Sequence, residues 1–222
     1  MGSPSRLAAL LIAALLPQGA RAGSLRGKVV LAPRALAAQL ERPEQVVVLL
    51  EDAKGPPPAA REHYRIRQID KAFDPAVLLV PQGATVEFLN GERLDHNVFS
   101  PAREAPFDLG IFPMGQSRLV RLDKPGLVPV YCNLHPNMIA WVVVLANRFA
   151  ARPAADGSFT LEGVPEGDYT LLAWSPFSAP MRKRVRVGRA ATDLGELVVR
   201  ERGGGGRHPD KTGRPYSPYS AR

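Results

Sequence analysis

Proline and glycine punctuate this chain so densely that a long helix has almost nowhere to form: 22 prolines and 20 glycines fall within 222 residues. Between them lie short runs of the two kinds that strands show. They alternate where one face is buried and are apolar throughout where both faces are. Tyr64, Ile66 and Gln68 alternate with Arg65, Arg67 and Ile69, whereas Val46-Val47-Val48-Leu49-Leu50 is apolar throughout. Further strands are expected over 25–31, 76–80, 84–90, 96–100, 116–122, 127–132, 139–146, 158–161, 169–174, 183–187 and 195–200. Pro81-Gln82-Gly83, Asp156-Gly157 and Pro165-Glu166-Gly167-Asp168 are turn signals between them. Only the helix formers between Pro33 and Pro43 read as a short helix. The fold class is all-β, and about seven short strands in about eighty central residues fit a Greek-key sandwich.

Residues 1–22 have the build of a secretory signal peptide. Arg6 precedes an apolar run from Leu7 to Leu16 that is too short to span a bilayer as a helix. Ala20-Arg21-Ala22 is a small-x-small cleavage signal, so the exported chain would begin at Gly23 in the periplasm or outside the cell. No later stretch is long and apolar enough for a transmembrane span. The single cysteine, Cys132, leaves no disulfide framework, and in an oxidising compartment it favours a thiol that is buried or bound. The formal charge of +8 is not gathered into a basic stripe interleaved with aromatics, so no nucleic-acid partner is expected. Residues 201–222 carry five basic and two acidic side chains and four consecutive glycines. They are expected to be a disordered basic tail.

Chemistry concentrates in Tyr131-Cys132-Asn133-Leu134-His135-Pro136-Asn137-Met138. A thiol, an imidazole and a thioether on one short loop are soft ligands, which select copper over harder metals. A trigonal site needs one more imidazole, and His96 in Leu94-Asp95-His96-Asn97-Val98-Phe99 is placed to supply it. The expected metal ligands are therefore His96, Cys132, His135 and Met138, around one mononuclear copper. His63, beside the proline-rich connector, and His208, in the tail, are expected to be solvated. Four histidines cannot also supply a trinuclear oxidase cluster, and one cysteine cannot build a two-cysteine dinuclear copper centre. No Ser/His/Asp triad, phosphate-cradling glycine loop or spaced acid pair is visible, so the chain is not expected to be an enzyme. Met114 reads as a packed loop residue near the site mouth, Trp141 and Trp174 as core, and Asp95 as a loop charge.

Phe73-Asp74-Pro75, the run from Val80 to Asn90, His96-Asn97-Val98 and Cys132-Asn133-Leu134-His135-Pro136-Asn137-Met138 make residues 64–146 similar to the cupredoxins. The compact cysteine loop, with proline after histidine, resembles that of the amicyanins. From Gly23 on, the chain looks like the cupredoxin-type methylamine utilisation proteins. The resemblance implies a strong bond from the Cys132 thiolate, a trigonal plane completed by His96 and His135, and a weak axial Met138. It also implies that Asn97 ties the two ligand-bearing segments together. Asp156 to Leu171 resembles carboxypeptidase regulatory-like domains, which are transthyretin-like sandwiches opened by a Gly-x-Val strand and a valine-rich one. Gly27-Lys28-Val29 and Val46-Val47-Val48-Leu49 match those strands, but lie before the cupredoxin-like block. Residues 23–61 and 147–200 are therefore expected to form one sandwich, with 62–146 inserted. The rival layout has an N-terminal extension and a separate C-terminal domain.

The ligand set implies a one-electron carrier that exchanges through the His135 edge, with Pro113, Met114 and Pro136 around it as a docking patch. The expected partner is a redox protein such as a periplasmic dehydrogenase or a cytochrome, and the chain is expected to be a monomer. A copper delivery or storage module is an alternative, though exposed Met- or His-rich motifs are absent. The other alternative is a cell-envelope interaction protein with the second sandwich as its scaffold.

Overall fold

The computed structural model describes residues 22–32, 43–176, 178–201 and 207–216. Among them the structure is β throughout, apart from one 3-10 turn at Pro43–Gln45. The signal segment lies outside the described residues except for Ala22, and the short helix between Pro33 and Pro43 except for Pro43. No helix among the described residues is long and apolar enough to cross a membrane.

Strands β1 (Ala22–Ala32) and β2 (Val47–Leu50) come first. Nine strands follow: β3 (Tyr64–Ile69), β4 (Ala72–Asp74), β5 (Val77–Pro81), β6 (Ala84–Asn90), β7 (His96–Ser100), β8 (Phe107–Phe112), β9 (Ser117–Leu122), β10 (Gly126–Tyr131) and β11 (Ile139–Leu145). They make a sheet ordered β5-β11-β10-β7-β8 and a sheet ordered β4-β3-β6-β9. In β3 the alternation holds, with Tyr64, Ile66 and Gln68 buried and Arg65, Arg67 and Ile69 exposed. Ile66, Phe88, Val98, Phe112, Val130 and Val142 fill the core between the two sheets. β8 is a strand that sequence periodicity does not show. Its alternation is broken at Gly110, which has φ 70°, where the register against β7 shifts and forms a bulge.

The chain ends in β12 (Ala150–Ala151), β13 (Ser158–Pro165), β14 (Gly167–Trp174), β15 (Met181–Val187) and β16 (Thr192–Arg200). β1 pairs antiparallel with β13 and parallel with β16, while β2 pairs antiparallel with β12 and β14. The resulting sheets, β13-β1-β16 and β12-β2-β14-β15, enclose a second core that includes Leu25, Val29, Val48, Leu50, Leu171 and Val199. The turn into β13 needs glycine. Gly157 has φ 85°, and a Cβ there would lie 2.2 Å from the carbonyl oxygen of Val29.

A third cluster joins the two sandwiches. Val47, Leu172 and Trp174 project from the outer face of the β2 and β14 sheet onto Val77, Val143 and Leu145 of β5 and β11. This is why the run Val46 to Leu50 has no polar face: Val46, Val48 and Leu50 point into one core and Val47 into the seam. Trp141 and Trp174 meet edge to face in the seam, with ring centroids 4.9 Å apart.

Candidate metal centre

The site stands at one end of the nine-strand sandwich. β7 is buried along its whole length, and His96 at its start is fully buried opposite Phe112 of β8. β10 and β11 form a hairpin whose connection, residues 132–138, carries the candidate ligands Cys132, His135 and Met138. Within the loop, the Met138 N–H donates to the His135 carbonyl at 3.1 Å and the Cys132 N–H to the Met138 carbonyl at 3.4 Å. Asn97 ties β7 to this loop, as the resemblance implied: its Oδ1 accepts from the Asn133 N–H at 3.2 Å. Its Nδ2 donates to Asp108 Oδ1 at 2.7 Å and to the Gly110 carbonyl at 3.1 Å.

The structure brings His96, Cys132 and His135 together. Cys132 Sγ lies 3.7 Å from His96 Nδ1 and 3.6 Å from His135 Nδ1, and the three donor atoms all fall within 4.8 Å of one another. Metal bonds of about 2.0 Å to nitrogen and about 2.3 Å to sulfur separate N and S by about 3.5 Å at a tetrahedral angle and about 3.7 Å at a trigonal one. The triangle therefore suits one first-row metal ion. Met138 closes the loop, 1% exposed, and shares the buried cluster that contains Cys132.

Glu92 completes the surroundings of His96, and sequence reasoning missed it. Its Oε1 lies 2.8 Å from His96 Nε2 and accepts the Lys71 backbone N–H at 2.8 Å. With Nε2–H donating to Glu92, His96 presents the lone pair of Nδ1 toward Cys132. Burial alone would raise the Glu92 carboxyl, but the Lys71 N–H and His96 hold it below its ordinary value. Asp95, the acid beside His96, is exposed. The signal for Glu92 was an acid four residues before a candidate ligand, made meaningful by the β3–β4 turn that delivers Lys71.

Burial pushes the Cys132 thiol up, against the backbone N–H groups of Leu134, Asn97 and His135, which favour a thiolate. His135, half-buried, is pushed down by burial and then by His96 and Lys71, which favours the neutral imidazole a metal requires.

Four expectations divide here. His63 is exposed, as expected of a solvated residue. His208, expected in solvent, is only 5% exposed, which corrects that reading and, for residues 207–216, the reading of the tail as disordered. The cause is an aromatic recess: the His208 ring stacks on Tyr131 at 4.3 Å and meets Phe99 and Tyr216 edge-on. Pro136, expected in the docking patch, is buried, and its carbonyl accepts the His208 N–H at 3.2 Å. Met114, expected to pack, is 54% exposed, in a turn after β8 whose residues 113–116 are all exposed.

No protein-family model matches the chain, and no curated protein matches it. Solved cupredoxins do. A purple cupredoxin from Nitrosopumilus maritimus is 22% identical over 36% of this chain and 98% of its own, with a TM-score of 0.34. A reduced Cu(I) amicyanin variant at pH 4 is 22% identical over 44% of this chain and 97% of its own, with a TM-score of 0.36. An oxidised amicyanin variant is 23% identical over the same shares, with a TM-score of 0.36. At such identities and TM-scores, the assignment of the site rests on its own geometry.

Proposed function

We propose that this chain is a cupredoxin-type electron carrier, not an enzyme, with one mononuclear copper held by His96, Cys132, His135 and Met138. The observation that carries the reading is the buried His96–Cys132–His135 triangle, one thiol between two Nδ1 atoms at 3.6 and 3.7 Å. A thiolate with two imidazoles and a thioether at hand is a soft set, which favours copper. Bound copper would supply the one-electron couple.

The chain supplies a fixed coordination shell. Glu92 orients His96, Asn97 joins β7 to the loop, and full burial of His96 and Cys132 excludes water. Donors that barely move between two charge states keep reorganisation small. The same burial supports a carrier over an open delivery or storage site. His135 is the half-buried histidine of the three, so exchange with a redox partner, such as a dehydrogenase or cytochrome, runs over its edge past exposed Pro113 and Met114. The chain works in the periplasm or outside the cell, as a monomer. Residues 23–61 and 147–200 are one transthyretin-like sandwich interrupted by 62–146, a reading supported by the pairing of Leu25 with Leu161 and of Leu49 with Leu172.

A spectroelectrochemical titration of the copper-loaded protein tests this. Repeated one-electron cycles without metal loss are expected. Metal that leaves on reduction would overturn the carrier reading in favour of delivery.

A further inference from the structure

We infer that residues 207–216 are a clamp on the ligand loop, so that the C-terminal segment is a working part of the metal centre. The inference rests on the reading of 132–138 as a metal loop. Three donors of the segment meet three acceptors of that loop, and the His208 ring faces a fourth. The Tyr216 hydroxyl donates to the Cys132 carbonyl at 3.0 Å, and the Lys211 N–H to Asn133 Oδ1 at 2.8 Å. The His208 N–H reaches the Pro136 carbonyl at 3.2 Å, and His208 Nε2 lies 3.3 Å from the His135 carbonyl.

The contacts run from the cysteine ligand to the histidine ligand and beyond. They also close a ring. Lys211 holds Asn133, Asn133 donates to Asn97, Asn97 donates to Asp108, and Asp108 Oδ2 accepts Lys211 Nζ at 2.6 Å. Asn97 follows His96, so this ring joins both ligand-bearing segments to the tail. His208 is a positioning residue and not a further ligand. Its ring nitrogens face the carbonyl oxygens of Pro209 at 2.7 Å and His135 at 3.3 Å, and a neutral ring, with one N–H, donates to one of the two. The loop's own bonding is sparse: two internal backbone bonds, one of them 3.4 Å long, and the bond to Asn97. The segment's hydrogen bonds therefore reinforce a loop with few backbone–backbone bonds of its own.

Amide hydrogen exchange of the full-length, metal-free protein tests the clamp in His208→Ala and Tyr216→Phe. Exchange at the loop amides of 133–135, 137 and 138 should rise about tenfold in His208→Ala, the scale of the ring's lost hydrogen bond with its stacking. It should rise less in Tyr216→Phe, which removes a hydroxyl and preserves the fold. Amides of β1 and β14 should keep their wild-type rates. With copper present, transfer of Cu(I) to bathocuproine disulfonate should accelerate by the same factor. Loop exchange at the wild-type rate in both variants would overturn the clamp. The amide readout needs no metal, so wild-type protein that binds no copper would remove the copper reading and leave the clamp to be judged by exchange alone.

Discussion

Glu92 shows what a single residue contributes at this centre. Its carboxylate takes one N–H from His96 and one from the Lys71 backbone, and so fixes both the tautomer and the angle of the buried imidazole. Replacing it with alanine should weaken Cu(I) affinity about 10- to 100-fold in a chelator competition, with Glu92→Gln losing less. Asp108 works at the other edge. Burial would raise its carboxyl, but Lys211, Asn97 and the Gly110 N–H hold it below its ordinary value. A depressed carboxyl stabilises the fold above the ordinary carboxylate range, and that contribution is lost as pH falls through the folded value. The Tm of the wild type should therefore drop more steeply than that of Asp108→Asn between about pH 5 and about pH 3. The three donor residues were legible because cysteine, histidine and a remote histidine are rare in this chain and chemically distinct. Glu92 was not, because it is one of 21 acids and its role comes from a backbone N–H on another turn.

At the scale of elements, the strands with strict alternation or continuous apolar runs were readable, as β3 and β2 show. β8 was not, since its bulge at Gly110 breaks the period. The segment 207–216 was hidden for a different reason. Its composition is polar, and its order comes from one imidazole in an aromatic recess and from acceptors on a loop more than seventy residues away. Turn chemistry was legible: Asp156-Gly157 marks the entry to β13, and Gly157 sits at φ 85° with no room for a Cβ. Gly157→Ala should cost more than about 2 kcal/mol, from left-handed strain plus displacement of the Val29 carbonyl. Calorimetry should show a Tm lower by roughly 4 °C or more.

For the whole molecule, the seam decides how the two sandwiches behave. Leu172, 3% exposed, lies in the cluster that joins β2 and β14 to β5 and β11. Leu172→Ala should cost about 2–5 kcal/mol and divide one unfolding transition into two, read as separate losses of the far-UV and copper-site signals. A single transition shifted as a whole would mean that the seam is not what couples them. The central claim is that Cys132, between two imidazoles, binds copper as a thiolate. Its most direct test is the visible absorption spectrum of the Cu(II)-loaded protein beside Cys132→Ser. An intense thiolate-to-copper band that bleaches on reduction and is absent from the variant is expected. A wild-type protein without that band, or a variant that keeps it, would contradict the claim.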